Sequence, residues 1–241
     1  MFTHIEHKVI RPFAKEEHTE NGHFYRTNDG NLYTSITTLF KILDPKDWYV
    51  HWVNSEMKKQ NITEEEAKKW CKNYSDESMI VGTRLHQMAE LYLNNLEQKD
   101  IFNGKYEKNP SELFEVLKVW LDENIKEVHG TEFKLYSDEL QLAGTVDLVA
   151  RLKTGEMAII DFKNSRKPKT PGKIKDAHYY EQMCAYSKMW EFCTGEKIEK
   201  GIVVVTSWDN KVRAFECNLA DYESDLWQWI IKYEEHKALN S

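Results

Sequence analysis

The stretch Leu142–Lys163, LAGTVDLVARLKTGEMAIIDFK, decides the fold. It reads as two strands around one turn. LAGTVDLVARL and MAIIDFK are dominated by apolar residues, and KTGE between them supplies turn chemistry. One carboxylate interrupts each run, Asp147 in the first and Asp161 in the second. A carboxylate between Val146 and Leu148 is costly to bury unless it is paired or metal-bound. If Asp147 stands opposite Asp161, antiparallel pairing sets Arg151 against Met157 and leaves Leu152–Glu156 as the connection. A four-residue loop, Lys153–Glu156, would slip the register by one and send the acids to opposite faces. The expectation is the odd connection, or a bulge that corrects the slip.

Lys163 lies two residues beyond Asp161, so the two side chains share a face. That interval alone means little, because Glu6/Lys8, Asp44/Lys46 and Glu56/Lys58 repeat it. Position separates Asp161/Lys163 from the others: the pair follows MAII, where a core strand emerges. A basic segment comes next, with Arg166, Lys167, Lys169, Lys173 and Lys175 and no acid until Asp176.

Two carboxylates converging at a sheet end repel, and a divalent cation offsets the repulsion. Oxygen ligands of this kind select Mg²⁺ or Mn²⁺. A lysine beside such an ion orients water and stabilises charge on a phosphoryl oxygen. The basic segment would then hold a phosphate backbone. The same residues also allow a plainer reading, a buried Asp147–Lys163 ion pair beside a solvated basic loop.

Composition narrows the class. The chain has 241 residues, 41% hydrophobic and 12% aromatic, enough for a substantial core. No apolar run approaches the ~18–20 residues of a membrane span. The start, MFTHIEHKVIRPFAKEEH, has no apolar leader core, and the expected location is the cytoplasm of a bacterial or phage-infected cell. A net charge of −7 argues against a protein that coats duplex DNA, but leaves room for a local basic groove. Cys71, Cys184, Cys193 and Cys217 form no CxxC pair, which disfavours a zinc ribbon and suggests buried, reduced thiols.

Elsewhere in the chain, the first twenty or so residues read as an irregular charged arm. HFYRTNDGNLYTSI alternates around NDG, a hairpin signal. DPKDWYVHWVNSEMKK is expected to be helical, with Trp48, Trp52 and Val53 on one face, as core or as a stacking surface for a base. TEEEAKKW opens with a capping box, Thr63 to Glu66, and VGTRLHQMAELYLNNL is a further helix. SELFEVLKVWLDENIKEV is the clearest amphipathic helix. TEFKLYS, GIVVVTSW and KVRAFEC read as strands. DAHYYEQMCAYSKMWEFC and LWQWIIKYEEHK read as helices. The expectation is one α/β domain over 1–241 with a central mixed sheet flanked by helices. It divides into an arm and hairpin (1–32), a mainly helical part (33–130) and a sheet core with a C-terminal helix (131–241).

GTRLH, LAGTVDLVA, IIDFKNS and YYEQMCAY occur in the order and approximate spacing of the RecB-like branch of the PD-(D/E)XK nuclease superfamily. The chain resembles most closely the group of the mitochondrial genome maintenance exonuclease and its bacterial and phage relatives. YTSITTLFKIL also looks like the opening segment of those exonucleases. The resemblance spans roughly Tyr33 to Cys217 and implies a restriction-endonuclease-like core. It implies His86, Asp147 and Asp161 as ligands of one or two Mg²⁺ or Mn²⁺ ions, with the Phe162 carbonyl as a further ligand. Lys163 would be the catalytic lysine, beside Asp147 and Asp161. Gln182 and Tyr186 match an element that contacts substrate. Val146 stands where the superfamily pattern has proline. Some relatives carry an iron–sulfur cluster on an early cysteine and a close trio; the scattered cysteines here do not fit one.

Several residues keep two readings. Glu90, one turn after His86, is a partner beside the metal or an ordinary helix residue. Glu132 assists a second metal or is solvated. Tyr186 touches substrate or belongs to the core. Arg84 contacts phosphate or lies on the surface. The implied activity is a metal-dependent exonuclease on single-stranded DNA ends. Its rivals are a double-strand end-resecting exonuclease, a structure-specific endonuclease, a degenerate nucleic-acid-binding module and a protein with only a structural ion pair.

Overall fold

The structure, a computed structural model, describes residues 1–7, 13–20, 22–44, 48–97 and 107–240. Four strands come first: β1 (Thr3–His4), β2 (Phe13–Thr19), β3 (Gly22–Thr27) and β4 (Leu32–Ser35). Four helices come after them: α1 (Ile36–Leu43), α2 (Trp48–Gln60), α3 (Glu64–Leu93) and α4 (Pro110–Asn124). Then come β5 (Ile125–Ser137), β6 (Leu142–Leu152) and β7 (Met157–Ser165). Next, α5 (Pro171–Lys175) and α6 (Tyr179–Thr194) lead to β8 (Lys200–Ser207) and β9 (Lys211–Asn218). A 3₁₀ turn, Leu219–Tyr222, and α7 (Glu223–Leu239) close the chain.

The strands form one mixed sheet in the order β2-β3-β4-β6-β7-β8-β9, with β5 paired to β6 and β1 to β5. The contacts β1–β5, β4–β6 and β7–β8 are parallel, and the rest are antiparallel. Helices cover both faces. Leu85, Leu117 and Leu121 of α3 and α4 pack with Leu148, Ile160 and Phe162 on one side. Ile36, Leu39, Met183 and Trp190 of α1 and α6 pack with Val149, Ile159 and Val203 on the other. The architecture is the α/β layering that the alternating patterns predict.

The β6–β7 hairpin takes the expected register, with Arg151 opposite Met157 and Leu148 opposite Ile160. The connection is tighter than expected. Leu152 N–H donates to the Glu156 carbonyl at 2.8 Å, so only Lys153–Gly155 turn the chain. Gly155 takes φ +100°, which a side chain would strain.

The two edges of β6 are unequally occupied. One edge is filled along its length by β5. The other meets β4 at Leu142–Ala143 and β7 at Leu148–Arg151. Residues 144–147 lie between those two pairings and face neither strand.

Four expectations change. The arm contributes strands: β1 pairs with β5, and β2 with β3. TEEEAKKW and VGTRLHQMAELYL are one helix of 30 residues, started by the reciprocal Thr63–Glu66 capping box. The α4 helix ends at Asn124, and Ile125–Val128 begins β5 instead of extending the helix. Pairing of Ile125 with Leu152 and Val128 with Ala150 buries both apolar side chains and overrides the helical period. The sheet therefore begins before residue 131 and also recruits residues of the first 32. In the expected helix around Trp48, residues 45–47 and the Trp48 side chain lie outside the described residues. The basic run after Lys163 is not a single loop, because Pro171–Lys175 makes a short helix.

Candidate active site

The open edge of β6 positions Asp147. Its Oδ2 accepts a hydrogen bond from Phe162 N–H at 2.7 Å, just past the last β6–β7 pair, Leu148 with Ile160. The carboxylate thus satisfies a backbone donor where the ladder ends. The Phe162 carbonyl leaves the strand on that same edge. The bulge-disturbed strand β5 brings Glu132 opposite Asp147, since Thr131 pairs with Leu148 and Phe133 with Val146. Glu132 has φ +44°, a left-handed backbone that few side chains adopt.

Helix α3 delivers the imidazole. His86 Nδ1 is 3.6 Å from Asp147 Oδ1 and 3.9 Å from Glu132 Oε1. Ligand atoms of His86, Glu132 and Asp147 lie within 4.8 Å of one another. Asp161 is not in that trio. It is 1% exposed, and Lys163 Nζ lies 2.5 Å from its Oδ2. The contact is an ion pair. Lys163 therefore pairs with Asp161, not with Asp147 as the plainer sequence reading had it. Its Nζ also sits 5.0 Å from the centre of the Tyr179 ring.

The electrostatics leave the carboxylates short of positive charge. Burial raises the Glu132 pKa from 4.5 to about 8, and Asp147, Glu90 and Asp161 add to the shift. Burial also raises Asp161 above the ordinary carboxylate range, with Asp147 reinforcing it and Lys163 opposing it. Burial works against the charge of Lys163, but Asp161 and Asp147 outweigh it and hold the ammonium well above its ordinary value. The donor set fits a divalent cation: clustered carboxylates, one imidazole and too few side-chain cations. His86, Glu132 and Asp147 would hold it, with Asp161 adjacent.

His86 and Glu132 open into a cleft of about 730 Å³, lined also by Tyr25, Thr83, Glu90 and Lys134 among others. Glu90 thus faces the cleft, one turn from His86. The volume falls in the range of sites for small ligands.

Gln182 and Tyr186 come together on α6, with Gln182 Nε2 donating to Tyr186 Oη at 2.8 Å. Both are buried. Burial, then the charge of Asp161, push the Tyr186 phenol well above its ordinary value. The ring lies against Gly144, where an added Cβ would come 2.5 Å from Tyr186 Cε1. Gly144 is therefore the residue that lets α6 close on the open edge of β6.

Arg166 differs from its expected role as a phosphate ligand. Its guanidinium lies between the Tyr74 and Trp208 rings, 3.6 and 3.9 Å from their centres. It donates to Glu77 at 2.8 Å, Glu107 at 2.5 Å, Ser78 Oγ at 2.8 Å and the Tyr74 carbonyl at 3.3 Å. The side chain is 10% exposed and serves to clamp α3 to the end of β7. Lys167, Lys173 and Lys175 are exposed, and Lys169 is partly buried. Arg84 is partly buried and donates to Gln87 Oε1 at 2.9 Å.

Sequence reasoning missed the Arg166 clamp and the role of Gly144. It also missed Glu16, His18 and His23, which cluster on the β2–β3 hairpin. The charged arm gave no apolar alternation to mark that hairpin. An EEH with GH a few residues later was the available signal.

An α/β sheet whose open strand edge gathers carboxylates, an imidazole and a partly buried lysine is a candidate metal centre. The model of the PD-(D/E)XK nuclease superfamily matches residues 51–207, and the chain belongs to that superfamily. No curated protein matches the chain. Among solved structures, the chain is similar to one titled "Crystal structure of SSO0001", at 21% identity and a TM-score of 0.32. That match covers 52% of this chain and 56% of the other. No described helix is long and apolar enough to cross a membrane.

Proposed function

We propose that the chain is a metal-dependent DNA exonuclease of the RecB-like branch that hydrolyses phosphodiester bonds at single-stranded ends. The observation that carries this reading is the meeting of His86, Glu132, Asp147, Asp161 and Lys163 at the unpaired edge of β6. GTRLH, LAGTVDLVA, IIDFKNS and YYEQMCAY, in that order, support the branch. The cleft supports a strand end as substrate: about 730 Å³ suits a few nucleotides rather than a duplex.

A divalent cation, Mg²⁺ or Mn²⁺, held by His86, Glu132, Asp147 and Asp161 with the Phe162 carbonyl, would supply Lewis-acid polarisation of the scissile phosphate. Lys163, kept cationic by Asp161 and Asp147, orients the attacking water and stabilises negative charge on the phosphoryl oxygen. The water oxygen bonds to phosphorus, the bond to the 3′ oxygen breaks, and the proton ends on that oxygen. The products carry a 5′-phosphate and a 3′-hydroxyl. Gln182 and Tyr186 hold the α6 wall in place through their mutual hydrogen bond. Lys167, Lys169, Lys173 and Lys175 supply positive charge along the outgoing strand.

End-labelled single- and double-stranded oligonucleotides, digested with Mg²⁺, Mn²⁺ or EDTA, test the reading. The expected result is stepwise shortening of the single strand that EDTA abolishes. Internal cuts, duplex preference or metal-independent products would each reject it.

A further inference from the structure

The β2–β3 hairpin carries a second cluster of ligating groups. His18 and His23 are direct cross-strand partners. Their rings stack with centres 4.0 Å apart and planes 18° from parallel. Glu16 lies two residues before His18, so its side chain leaves the same face. Glu16 Oε2 is 3.5 Å from His23 Nε2 and 3.8 Å from His18 Nε2. The other oxygen, Oε1, is held by Lys134 Nζ at 2.8 Å, which fixes the carboxylate with Oε2 toward the imidazoles. His23 Nε2 is buried and makes no hydrogen bond. One ligand atom from each residue lies within 4.8 Å of the others.

We propose that Glu16, His18 and His23 form a second metal site, selective for a nitrogen-preferring divalent cation of the zinc class. Two imidazoles and one carboxylate make a donor set suited to Zn²⁺, Co²⁺ or Ni²⁺. The centre at His86 is the reverse, one imidazole among carboxylates, and suits a harder ion. Three protein ligands leave a fourth coordination position open. Glu16 and His23 line the same cleft as His86 and Glu132, so an anionic oxygen of a bound strand can take that position. The ion would also tie β2 to β3 and stiffen one wall of the cleft. This site stands on its own geometry and does not depend on the nuclease reading.

Co²⁺ titration of the full chain tests it, followed by visible absorption and by equilibrium dialysis, with DNA cleavage measured in parallel. His18 is 71% exposed, so its replacement leaves the core intact. The expected result is a Co²⁺ band that persists in Asp147→Asn, yields to Zn²⁺ but not to Mg²⁺, and disappears in His18→Ala. Co²⁺ affinity at this site should fall at least ~100-fold in His18→Ala, the upper end of what losing even an outer partner costs. Unchanged Co²⁺ binding in His18→Ala, or loss of the band in Asp147→Asn alone, would overturn the proposal. A chain that binds Co²⁺ this way without cutting DNA would uphold the hairpin site and reject the nuclease reading alone.

Discussion

Asp147 Oδ2 receives the N–H of Phe162 at 2.7 Å, so one carboxylate both ends a strand ladder and faces the proposed metal. The two duties separate by substitution. Asp147→Asn keeps an oxygen for Phe162 N–H but loses the charge, so folding should hold while cleavage disappears. Asp147→Ala orphans the donor and should cost about 1–3 kcal/mol besides. Denaturant unfolding and single-turnover cleavage on both variants check this.

Lys163→Ala should lower turnover at least ~10²-fold, the scale for loss of one preorganised electrostatic group. Metal and DNA binding should survive, because their ligands remain. A folded variant that cuts at the wild-type rate would remove Lys163 from the mechanism.

Arg166→Ala should destabilise the fold by about 1–3 kcal/mol, since it removes charged hydrogen bonds to the partly exposed Glu77 and empties the gap between Tyr74 and Trp208. Arg166→Lys should recover little, because an ammonium cannot span the same partners or stack flat on both rings. Melting temperature distinguishes this from a phosphate contact. A phosphate ligand would lose DNA affinity and leave stability alone.

The metal-free chain should show a pH signature. Glu132 titrates near 4.5 when unfolded and is raised to about 8 when folded. The folded state therefore holds the extra proton between those values, and stability falls as pH climbs through that window. Glu132→Gln carries no such proton and should gain on the wild type as pH rises from 4.5 to 8. Saturating Mn²⁺ should restore the wild type at the alkaline end. Thermal unfolding across pH, with and without Mn²⁺, reads both effects. A constant gap between the two proteins would contradict the account.

What the sequence disclosed depended on how local the cause was. The hairpin register followed from alternation and from two acids that had to share a face, and Arg151 does oppose Met157. The capping box at Thr63 was legible because its partners are three residues apart. The roles of Arg166 and Gly144 were not legible. Glu77 and Trp208 reach Arg166, and Tyr186 reaches Gly144, only through the tertiary fold. Glu132 kept two readings, helper of a second metal or solvated residue, until its pairing set it against Asp147. The end of α4 misled for a related reason: Ile125 and Val128 fit a helix period, but a strand partner was waiting at Leu152 and Ala150.

The place of β7 also sets a schedule for synthesis. It lies between β6, made before it, and β8, made well after it at Lys200–Ser207. Asp161 and Lys163 pair with Val203 and Val205 of that later strand. A chain still emerging from the ribosome has made every carboxylate of the site before it can seat the strand that bears Asp161 and Lys163. A product that ends before β8 lacks the strand that pairs with β7 on the side away from β6.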